Sequence, residues 1–481
     1  MSSINVKKLD DYRWLIPRTG RMRTEGLVFA DEQIMAAVRR DACLEQVANV
    51  ACLPGIVGRS MAMPDIHWGY GFPIGGVAAF DMDSGIVSPG GVGYDINCGV
   101  RLLRTDLNAA EIKGAVRGLV DALFNNIPCG VGSRRKDLKL SGKQMDEVLV
   151  KGAGWAVSKG YGGSQDLQCI EEQGCIPGAD PASVSEKAYN RGKAQLGTLG
   201  SGNHFVEIGF VEKVFDEDVA RAFCLFEGQV TIMVHTGSRG LGHQVCDDYI
   251  KILLKASDKY RMALPDKQLC CAPIGSKEGR RYLAAMASAA NFAFCNRQLI
   301  AHWVQETFQQ VLSVGPRQLG LRLVYDVCHN MAKIETHRVD GIEKMLCVHR
   351  KGATRAFPSG STFIPKAYKH VGQPVLIPGD MGRYSYVLVG TQKGLEETFG
   401  SSCHGAGRVL SRHQAKKAAR GRAIVRELED RGICVRSAGR GTVAEEMPEA
   451  YKDVSTVVDV IHNSGLGKKV VKLRPLGVIK G

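Results

Sequence analysis

Apolar residues follow two spacings along this chain, one typical of helices and the other of strands. Helical spacing predicts helices over 32–52, 111–125, 144–159, 409–427 and 451–463, one that follows 229–234 and reaches about residue 257, and one or two over 278–311. Short β-like runs predict strands at 75–80, 85–88, 100–105, 203–209, 229–234, 321–328, 339–348, 374–378, 386–389 and 469–480. The mixture predicts an α+β fold, with mixed β-sheets in a central core that helices surround.

The chain shows no internal repeat of roughly 20 to 50 residues and no low-complexity linker, so we expect one body over 1–481 and no separate modules. The segment 161–182 is polar and has no clear period. We interpret that segment as a surface excursion.

The charge balance is basic, with 63 Lys and Arg against 49 Asp and Glu and a net charge of +14. A basic surface favours polyanionic partners such as nucleic acid, although solubility alone also accounts for it. The 15 cysteines have no repeating spacing, which predicts reduced thiols, buried or metal-bound, and no disulfide framework. The N-terminus lacks a signal-peptide pattern and no apolar run reaches the about 20 residues of a membrane helix, so we expect a cytoplasmic protein without a membrane partner.

Three predicted strands have a histidine at or beside one end, namely His204, His235 and His329. Asp95 and Cys98 lie in one glycine-rich loop and can face one point. These residue types are ligands for transition metals, and strand ends are rigid enough to hold them. Each histidine alone is more often a buried structural residue; with Asp95 and Cys98 added, a metal site is an equally good interpretation. Ligand type alone favours Zn(II) or another late metal over Mn(II).

The loop over 400–408 has three glycines around His404, and the predicted helix over 409–427 follows at once. Loops at helix N-termini bind anions through free backbone N–H groups and the helix dipole, so His404 is a candidate nucleophile toward a nucleotide phosphate. The alternative is a helix-capping turn with a hydrogen-bonded histidine. The sequence has no P-loop, Gly-x-Gly-x-x-Gly, His-Glu-x-x-His or Lys-x-Asp-Gly motif, so a nucleotide site needs another design.

Six motifs lie in order along the chain, at 91–101 (GVGYDINCGVR), 197–205 (GTLGSGNHF), 235–243 (HTGSRGLGH), 325–330 (YDVCHN), 403–408 (CHGAGR) and 472–481 (KLRPLGVIKG). They resemble the motifs of the RtcB family of GTP-dependent RNA ligases. The similarity runs from about residue 50 to the last residue, and motifs of this length are highly specific.

The resemblance implies a single RtcB-like catalytic domain that joins RNA 3′-phosphate or 2′,3′-cyclic phosphate ends to 5′-hydroxyl ends, in tRNA splicing or RNA repair. It implies GTP, two Mn(II) ions, a guanylylated His404 and an RNA 3′-pp-5′-G intermediate. RNA is then the main partner of a monomeric enzyme, and an archease-type activator is a candidate second partner.

By matching positions, the resemblance implies one metal held by Asp95, Cys98 and His204 and a second held by Cys98, His235 and His329, with a bridging thiolate. The residues implied around guanylate and its phosphates are Asn203, Glu207, Asn330, Pro378, Gly379, Asp380, Met381, Ser385, Gly405, Ala406, Gly407, Tyr451 and Lys480. The family does not fix the residue at Asp380, so the role of this side chain is open. Lys480, beside the chain end, is by sequence alone a candidate frayed tail. Candidate RNA contacts are Arg239, Arg408 and Arg412.

Two alternatives stay open. In the first, the same cluster activates water in a metal-dependent phosphoesterase that acts on RNA ends without ligation. In the second, a structural metal supports an RNA-binding protein that catalyses nothing.

Overall fold

A computed structural model describes residues 4–481 of the protein. Its strands are β1 (Lys7–Lys8), β2 (Arg13–Ile16), β3 (Gly26–Phe29), β4 (Ile56–His67), β5 (Ile74–Asp81), β6 (Ile86–Val87), β7 (Gly99–Asn108), β8 (Phe205–Val214), β9 (Gln229–Thr236), β10 (Ala272–Pro273), β11 (Arg322–Cys328), β12 (Asn330–Val339), β13 (Ile342–Lys351), β14 (Ala353–Arg355), β15 (Pro374–Ile377), β16 (Ser385–Gly390), β17 (Ser401–Cys403), β18 (Cys434–Ser437) and β19 (Gly467–Lys480).

The helices lie between these strands and outside the sheets. They are α1 (Glu32–Val38), α2 (Cys43–Val50), α3 (Ala109–Ile112), α4 (Val116–Asn126), α5 (Gly142–Lys151), α6 (Ala153–Ser158), α7 (Ser164–Gln168), α8 (Glu186–Gly192), α9 (Glu217–Ala222), α10 (Arg239–Lys259), α11 (Lys277–Leu312), α12 (Pro316–Leu319), α13 (Gln392–Thr398), α14 (Arg412–Ala418), α15 (Ile424–Glu429), α16 (Arg440–Glu445) and α17 (Val454–Asn463). Among the described residues, none of these helices is long and apolar enough to cross a membrane.

Two large, mostly antiparallel sheets form the centre of the fold. The first has the strand order β1-β2-β3-β4-β5-β13-β12, and the second has the order β11-β7-β9-β8-β19-β16-β15, with β18 also paired to β19. The pairs β3–β4 and β18–β19 are parallel. Sheets of mixed direction with helices around them confirm the predicted α+β class.

The stretch 278–311 forms one helix, α11, and not two. Ser276 caps it by accepting a hydrogen bond from the Gly279 N–H, and it ends at Ser313, whose φ of 54° is left-handed. The helix packs against α4, α5, α6, α10 and β9, so most of its side chains are buried. A helix that is covered on several sides has apolar residues over many turns, which explains why helical spacing of apolar residues continues from 278 to 311.

Three predicted helices in the first 160 residues are interrupted. The range 32–52 divides into α1 and α2, 111–125 into α3 and α4, and 144–159 into α5 and α6. Gly152 makes the last break: its φ is 55°, and a Cβ there would lie 2.1 Å from the Gly174 carbonyl oxygen. Apolar spacing continues across each break because both halves face the same core. Spacing alone therefore could not locate the breaks.

The segment 161–182 is only partly the surface excursion that its composition predicts. Glu171, in a 3-10 turn, is 1% exposed and lies behind the end of β11. Its carboxylate lies 2.7 Å from Lys333 Nζ and 3.1 Å from Arg355 Nε, and it accepts a hydrogen bond from the Cys328 N–H at 2.9 Å. The segment thus supplies a buried anion that balances two buried cations.

We expect Glu171→Gln to lower the free energy of unfolding by about 3 kcal/mol, because it removes the charge that compensates Lys333 and Arg355. Although burial opposes ionisation, these two cations lower the pKa of Glu171 from 4.5 to about 2. A carboxylate with a lowered pKa stabilises the fold above its unfolded pKa, and this stabilisation is lost as the pH falls from about 5 toward 2.

Urea unfolding at neutral and acidic pH measures both effects. Glu147→Gln is the matched control, because Glu147 pairs with Lys151 at 4.0 Å on the surface, where an ion pair contributes little. If Glu171→Gln lowers the free energy of unfolding no more than Glu147→Gln does, Glu171 does not compensate the charges of Lys333 and Arg355.

Candidate active site

Four neighbouring strands bring the predicted metal ligands to one edge of the second sheet. β7 begins directly after Cys98, and β8 begins directly after His204. His235 is the last residue but one of β9, and β11 ends directly before His329. β9 is antiparallel to β7 and β8, and β11 is antiparallel to β7, so the starts of β7 and β8 meet the ends of β9 and β11. Lys480 pairs with the first residue of β8 and is 4% exposed, so it is not part of a frayed tail.

The five predicted ligands form two groups that share one sulfur atom. Cys98 Sγ lies 3.4 Å from His204 Nε2 and 3.3 Å from His235 Nε2. His235 Nε2 lies 3.4 Å from His329 Nε2, and Asp95 Oδ2 lies 2.9 Å from His204 Nε2. Within each group the candidate ligand atoms lie within 4.8 Å of one another. Atoms that bind one ion at about 2.0–2.3 Å lie at comparable separations, so each group has the dimensions of a metal site.

The proton positions around His204 also fit a cation. His204 Nδ1 lies 3.0 Å from the Leu199 carbonyl oxygen, which can only accept, so Nδ1 carries a proton and Nε2 presents a lone pair. That lone pair faces Asp95 Oδ2, a buried oxygen with no hydrogen-bond donor in the described part of the chain. Two acceptor atoms this close repel each other unless a cation balances them. The residues present therefore fit a bound metal ion.

Burial sets the protonation of the other ligands. It lowers the pKa of His235 and of His329 well below the ordinary value, and neighbouring histidines strengthen this effect. Burial also raises the pKa of the Cys98 thiol well above its ordinary value, and the Asp95 carboxylate adds to the shift. Neutral imidazole is the form that binds metal, whereas a thiolate at Cys98 needs a cation close by.

Arg297 of α11 fixes the segments that carry these ligands. Its guanidinium donates to the backbone oxygens of Asn97 and Thr236 at 2.8 and 2.9 Å, and to the Asn97 side chain at 2.9 Å. It also pairs with Asp326 of β11 at 2.9 Å, and both side chains are fully buried. One planar cation thus joins the loop before β7, the end of β9 and the strand β11.

His404 lies beside the second group, and Asp65 orients its ring. His404 Nδ1 lies 2.6 Å from Asp65 Oδ2, and the His404 backbone N–H donates to the same oxygen at 3.0 Å. A carboxylate only accepts, so the proton is on Nδ1 and Nε2 is the ring nitrogen that can act as a nucleophile. The His404 and His329 ring centroids are 4.7 Å apart.

The expectation that His404 lies at a helix N-terminus is wrong. His404 follows the short strand β17, which pairs with β14, and a loop separates it from α14. The predicted helix over 409–427 is two short helices, α14 and α15, with a turn at Gly421, whose φ is 78°. The helix dipole therefore makes no anion site here. Gly407 serves close packing instead, because a Cβ there would lie 2.2 Å from the Asp65 carbonyl oxygen.

Polar side chains from the C-terminal part of the chain form a wall around the buried carboxylate of Glu446. Lys480 Nζ lies 3.6 Å from Glu446 Oε2, and Arg408 Nη1 lies 3.1 Å from Glu446 Oε1. The Tyr451 hydroxyl donates to Glu446 and accepts from Arg408 at 3.0 Å. The predicted RNA contact Arg408 is thus already paired within the protein, and it holds Tyr451 in place.

Two further carboxyl groups lie at this wall. Burial raises the pKa of Glu207 to about 8, and the charge of Asp380 adds to the shift. Burial raises the pKa of Asp380 to about 6, against the opposing charge of Arg383, whose Nε lies 2.8 Å from Asp380 Oδ2. The Ser385 hydroxyl accepts a hydrogen bond from the Gly379 N–H at 3.2 Å, which fixes the loop that carries Asp380.

These residues surround a cavity of about 360 Å³, at the lower end of the range for small-molecule sites. Predicted site residues that line it are Asp95, Cys98, Asn203, Glu207, His235, His329, Asn330, Pro378, Gly379, Asp380, Met381, His404, Gly405, Ala406, Gly407, Arg408, Arg412, Tyr451 and Lys480. His204, Arg239 and Ser385 do not line it. Arg239 instead donates to the Thr198 hydroxyl at 3.2 Å.

Sequence patterns did not single out several residues of this site. They are Asp65, which contacts His404, and the cavity-lining residues His67, Tyr70, Ile74, Tyr94, Phe205, His243, Lys351 and Glu446. For Asp65 a signal existed, because an aspartate in the buried and mostly apolar second half of β4 calls for a specific partner. For Glu446 no local signal existed, since it follows the end of an ordinary polar helix, α16.

The chain is similar to known proteins over nearly its whole length. A family model described as "tRNA-splicing ligase RtcB" matches residues 46–481. Proteins named tRNA-splicing ligase RtcB are 56% identical in Archaeoglobus fulgidus over 478 residues, 54% identical in Thermococcus kodakarensis over 479 residues and 51% identical in Methanococcus maripaludis over 478 residues. Each comparison covers 99% of this chain and 99% of the relative.

We expect Cys98→Ser to weaken binding of ions at both groups by at least about ten-fold, because one sulfur serves both. Co(II) is a suitable probe, since thiolate ligation gives a charge-transfer absorption band that serine cannot give. Cys328→Ser is the matched control: Cys328 is buried beside His329, but its Sγ contacts Glu171 and belongs to neither group. Equal occupancy of both positions in Cys98→Ser crystals, measured by anomalous scattering, would contradict the shared sulfur.

Proposed function

This chain belongs to the RtcB family, and from that membership we propose that it is a GTP-dependent RNA ligase. It joins a 3′-phosphate or 2′,3′-cyclic phosphate RNA end to a 5′-hydroxyl end. Its substrates are the ends left in tRNA splicing, which the names of its relatives specify, or by RNA damage. The observation that carries the proposal is His404, oriented by Asp65 and placed beside the five-residue cluster.

In the first step His404 Nε2 attacks the α-phosphorus of GTP, so that an N–P bond forms, the α–β anhydride bond breaks and pyrophosphate leaves. An oxygen of the RNA 3′-phosphate then attacks the same phosphorus, which releases His404 and leaves RNA 3′-pp-5′-G. Finally the 5′-hydroxyl oxygen attacks the RNA 3′-phosphorus and loses its proton. A 3′,5′-phosphodiester forms and GMP departs. A cyclic phosphate is first opened to a 3′-phosphate by water.

Asp65 supports the first step without touching the substrate. It holds the proton on Nδ1, so the attacking Nε2 has a free lone pair. When the N–P bond forms, positive charge develops on the imidazole ring, 2.6 Å from the Asp65 carboxylate. A buried carboxylate stabilises that charge, as in Ser-His-Asp enzymes.

Two Mn(II) ions would be held by Asp95, Cys98 and His204 and by Cys98, His235 and His329, where they would neutralise phosphate charge and polarise phosphoryl oxygens. The choice of Mn(II) follows from the family, because the donor set alone favours a later metal.

The wall around Glu446 suits the guanylate. In its ionised form Glu207 would accept the N1–H and N2–H donors of guanine, which no other common base offers together, and these donors would oppose the burial that raises its pKa to about 8. Asn203, Asn330 and residues 405–407 would approach the phosphates, with Pro378, Gly379, Met381, Ser385, Tyr451 and Lys480 around the base and ribose. Asp380 is paired with Arg383, so loop stability is the role we propose for it. Arg412, which is exposed, is the better candidate for an RNA contact than Arg239 or Arg408.

The single catalytic domain, monomeric state, cytoplasmic location and archease-type partner stay predictions. They concern the surroundings of the enzyme, and the chemistry proposed at His404 does not depend on them.

Intact-mass spectrometry after incubation with GTP and Mn(II) tests the covalent step. We expect a gain of one GMP in the wild type and in His370→Ala, and no gain in His404→Ala. His370 is exposed and does not line the cavity, so it controls for loss of a histidine as such. A GMP increment that survives in His404→Ala would refute the nucleophile. GTP-independent hydrolysis of RNA ends without a ligated product would favour the phosphoesterase.

We expect Asp65→Asn to slow attachment of GMP by about 100-fold or more, since a carboxylate-to-amide change behind a catalytic histidine costs up to about 10⁴-fold in Ser-His-Asp enzymes. The measurement is the single-turnover rate of GMP incorporation as a function of pH. Asp83→Asn, in an exposed turn, is the control. If the rate of GMP incorporation and its pH profile in Asp65→Asn match those of the wild type, Asp65 has no positioning role.

A further inference from the structure

Among the ring side chains that line the cavity, Tyr70, Tyr94 and His243 form one group, here called the aromatic rim. They belong neither to the metal groups nor to the wall around Glu446, here called the guanylate wall. The Tyr70 and Tyr94 ring centroids are 5.7 Å apart in an edge-to-face arrangement. The Tyr94 and His243 centroids are 4.9 Å apart with an interplanar angle of 33°. The three residues come from the loop after β4, the loop before β7 and the helix α10, so the rim is assembled by the fold.

The rim is a surface feature and not part of the apolar core. Tyr70 and Tyr94 are partly exposed and His243 is exposed, whereas the core aromatic side chains are buried. Neither tyrosine hydroxyl has a hydrogen-bond partner among residues 4–481. A partly exposed ring without a hydrogen-bond partner stabilises the fold less than a buried core aromatic does. Its ring face is free to contact a ligand.

The backbone under the rim is held rigidly. Lys351 Nζ donates to the carbonyl oxygens of Tyr70 and Phe72, at 2.5 and 3.0 Å. Gln268 accepts from the Gly71 N–H at 2.9 Å, and Gln46 exchanges two hydrogen bonds with the backbone of Gly69. Rings on a backbone fixed in this way lose little conformational freedom when a ligand stacks on them.

The position of the rim identifies the part of a ligand that it would contact. Tyr94 directly precedes Asp95, whose carboxylate faces the first metal group. The guanylate wall is built from other segments, around Glu446, Tyr451 and Lys480. A ligand with a phosphate at the metal groups and a base at the rim would therefore contact segments other than those that form the guanylate wall. Arg412, an exposed cation, also lines the cavity and favours a polyanion.

We propose that the aromatic rim is the stacking site for the terminal base of a single-stranded RNA end during ligation. The proposal rests on the proposed function, because it places an RNA terminal phosphate at the metal groups. Aromatic side chains bind unpaired bases through their ring faces, and this binding tolerates any base sequence. A rim without hydrogen-bond readout of the base suits an enzyme that must accept ends of different sequence.

The test uses short single-stranded RNAs that carry the fluorescent base 2-aminopurine, whose emission is quenched when it stacks. One RNA carries it at the 3′-phosphate end and the other at the 5′-hydroxyl end. We expect quenching in at least one of these two arms with the wild-type protein, and the quenched arm identifies which end the rim holds.

Substitution at the rim separates stacking from other effects. We expect Tyr70→Leu and Tyr94→Leu to lose the quenching and to bind that RNA at least about five-fold more weakly. Tyr70→Phe and Tyr94→Phe keep the ring, so we expect them to retain both the quenching and the RNA affinity. Phe226→Leu is the control, because Phe226 is 47% exposed and precedes the start of β9, the opposite end of that strand from His235.

The outcomes distinguish the rim from the ligase assignment. Leucine variants with wild-type quenching and affinity, or no quenching in either arm, would overturn the stacking site. Intact-mass measurement of GMP attachment on the same samples needs no RNA, so it reports on the proposed function separately. Quenching that depends on Tyr70 and Tyr94 in a protein that never acquires GMP would support the rim and refute the ligase.

Discussion

The guanidinium of Arg297 joins three segments that are distant in sequence and adjacent in the second sheet: the loop before β7, the end of β9 and the strand β11. Each of those segments carries or borders a metal-ligand candidate. Charge-assisted hydrogen bonds contribute about 1.5–3 kcal/mol each, which is enough to fix the loop although Asn97 has a φ of 52°. The antiparallel register of these strands then sets the distances between the metal-ligand candidates at this edge of the sheet. If that edge of the sheet moved by one residue, the shared position of Cys98 between two groups of ligands would be lost.

The electrostatics of the edge are unbalanced in the protein alone. The imidazoles of His235 and His329 are held neutral, and the Cys98 thiol resists ionisation because of burial. Burial opposes ionisation of Asp95, whereas the nearby charge of Arg239 favours the carboxylate and helps to lower its pKa. A divalent ion would reverse the penalty at Cys98 and satisfy the free oxygen of Asp95. The same buried environment strengthens the interaction between His404 and Asp65. The cluster and the proposed nucleophile, His404, therefore both depend on the burial of charged and polar groups at this edge.

Sequence patterns placed His204, His235 and His329 at strand ends, where the structure also has them, because each lies at the boundary of a β-like run and such boundaries are visible in a sequence. They could not identify the partner of Asp65, because His404 is 339 positions away in the sequence. Nor could they show that 409–427 is two helices, since apolar spacing continues past the turn at Gly421. Glu171 was assigned to the surface because its neighbours are polar, yet Lys333 and Arg355 draw it into the interior. For Asp65 and Glu171 the missing information was a long-range partner, which local periodicity does not contain.

The size of the cavity adds a constraint on how two nucleotides can share the site. At about 360 Å³ it is at the lower end of the range for small-molecule pockets. If guanylate occupies the wall between Glu207, Tyr451 and Lys480, little enclosed volume is left for the base of an RNA end. In the proposed reaction the RNA phosphate also has to reach the phosphorus bonded to His404. The RNA base must then lie at the mouth of the cavity, where water competes for its polar atoms and stacking on exposed rings is the main attraction available. Tyr70, Tyr94 and His243 are placed at such a mouth, so the volume of the pocket and the exposure of the rim lead to the same arrangement.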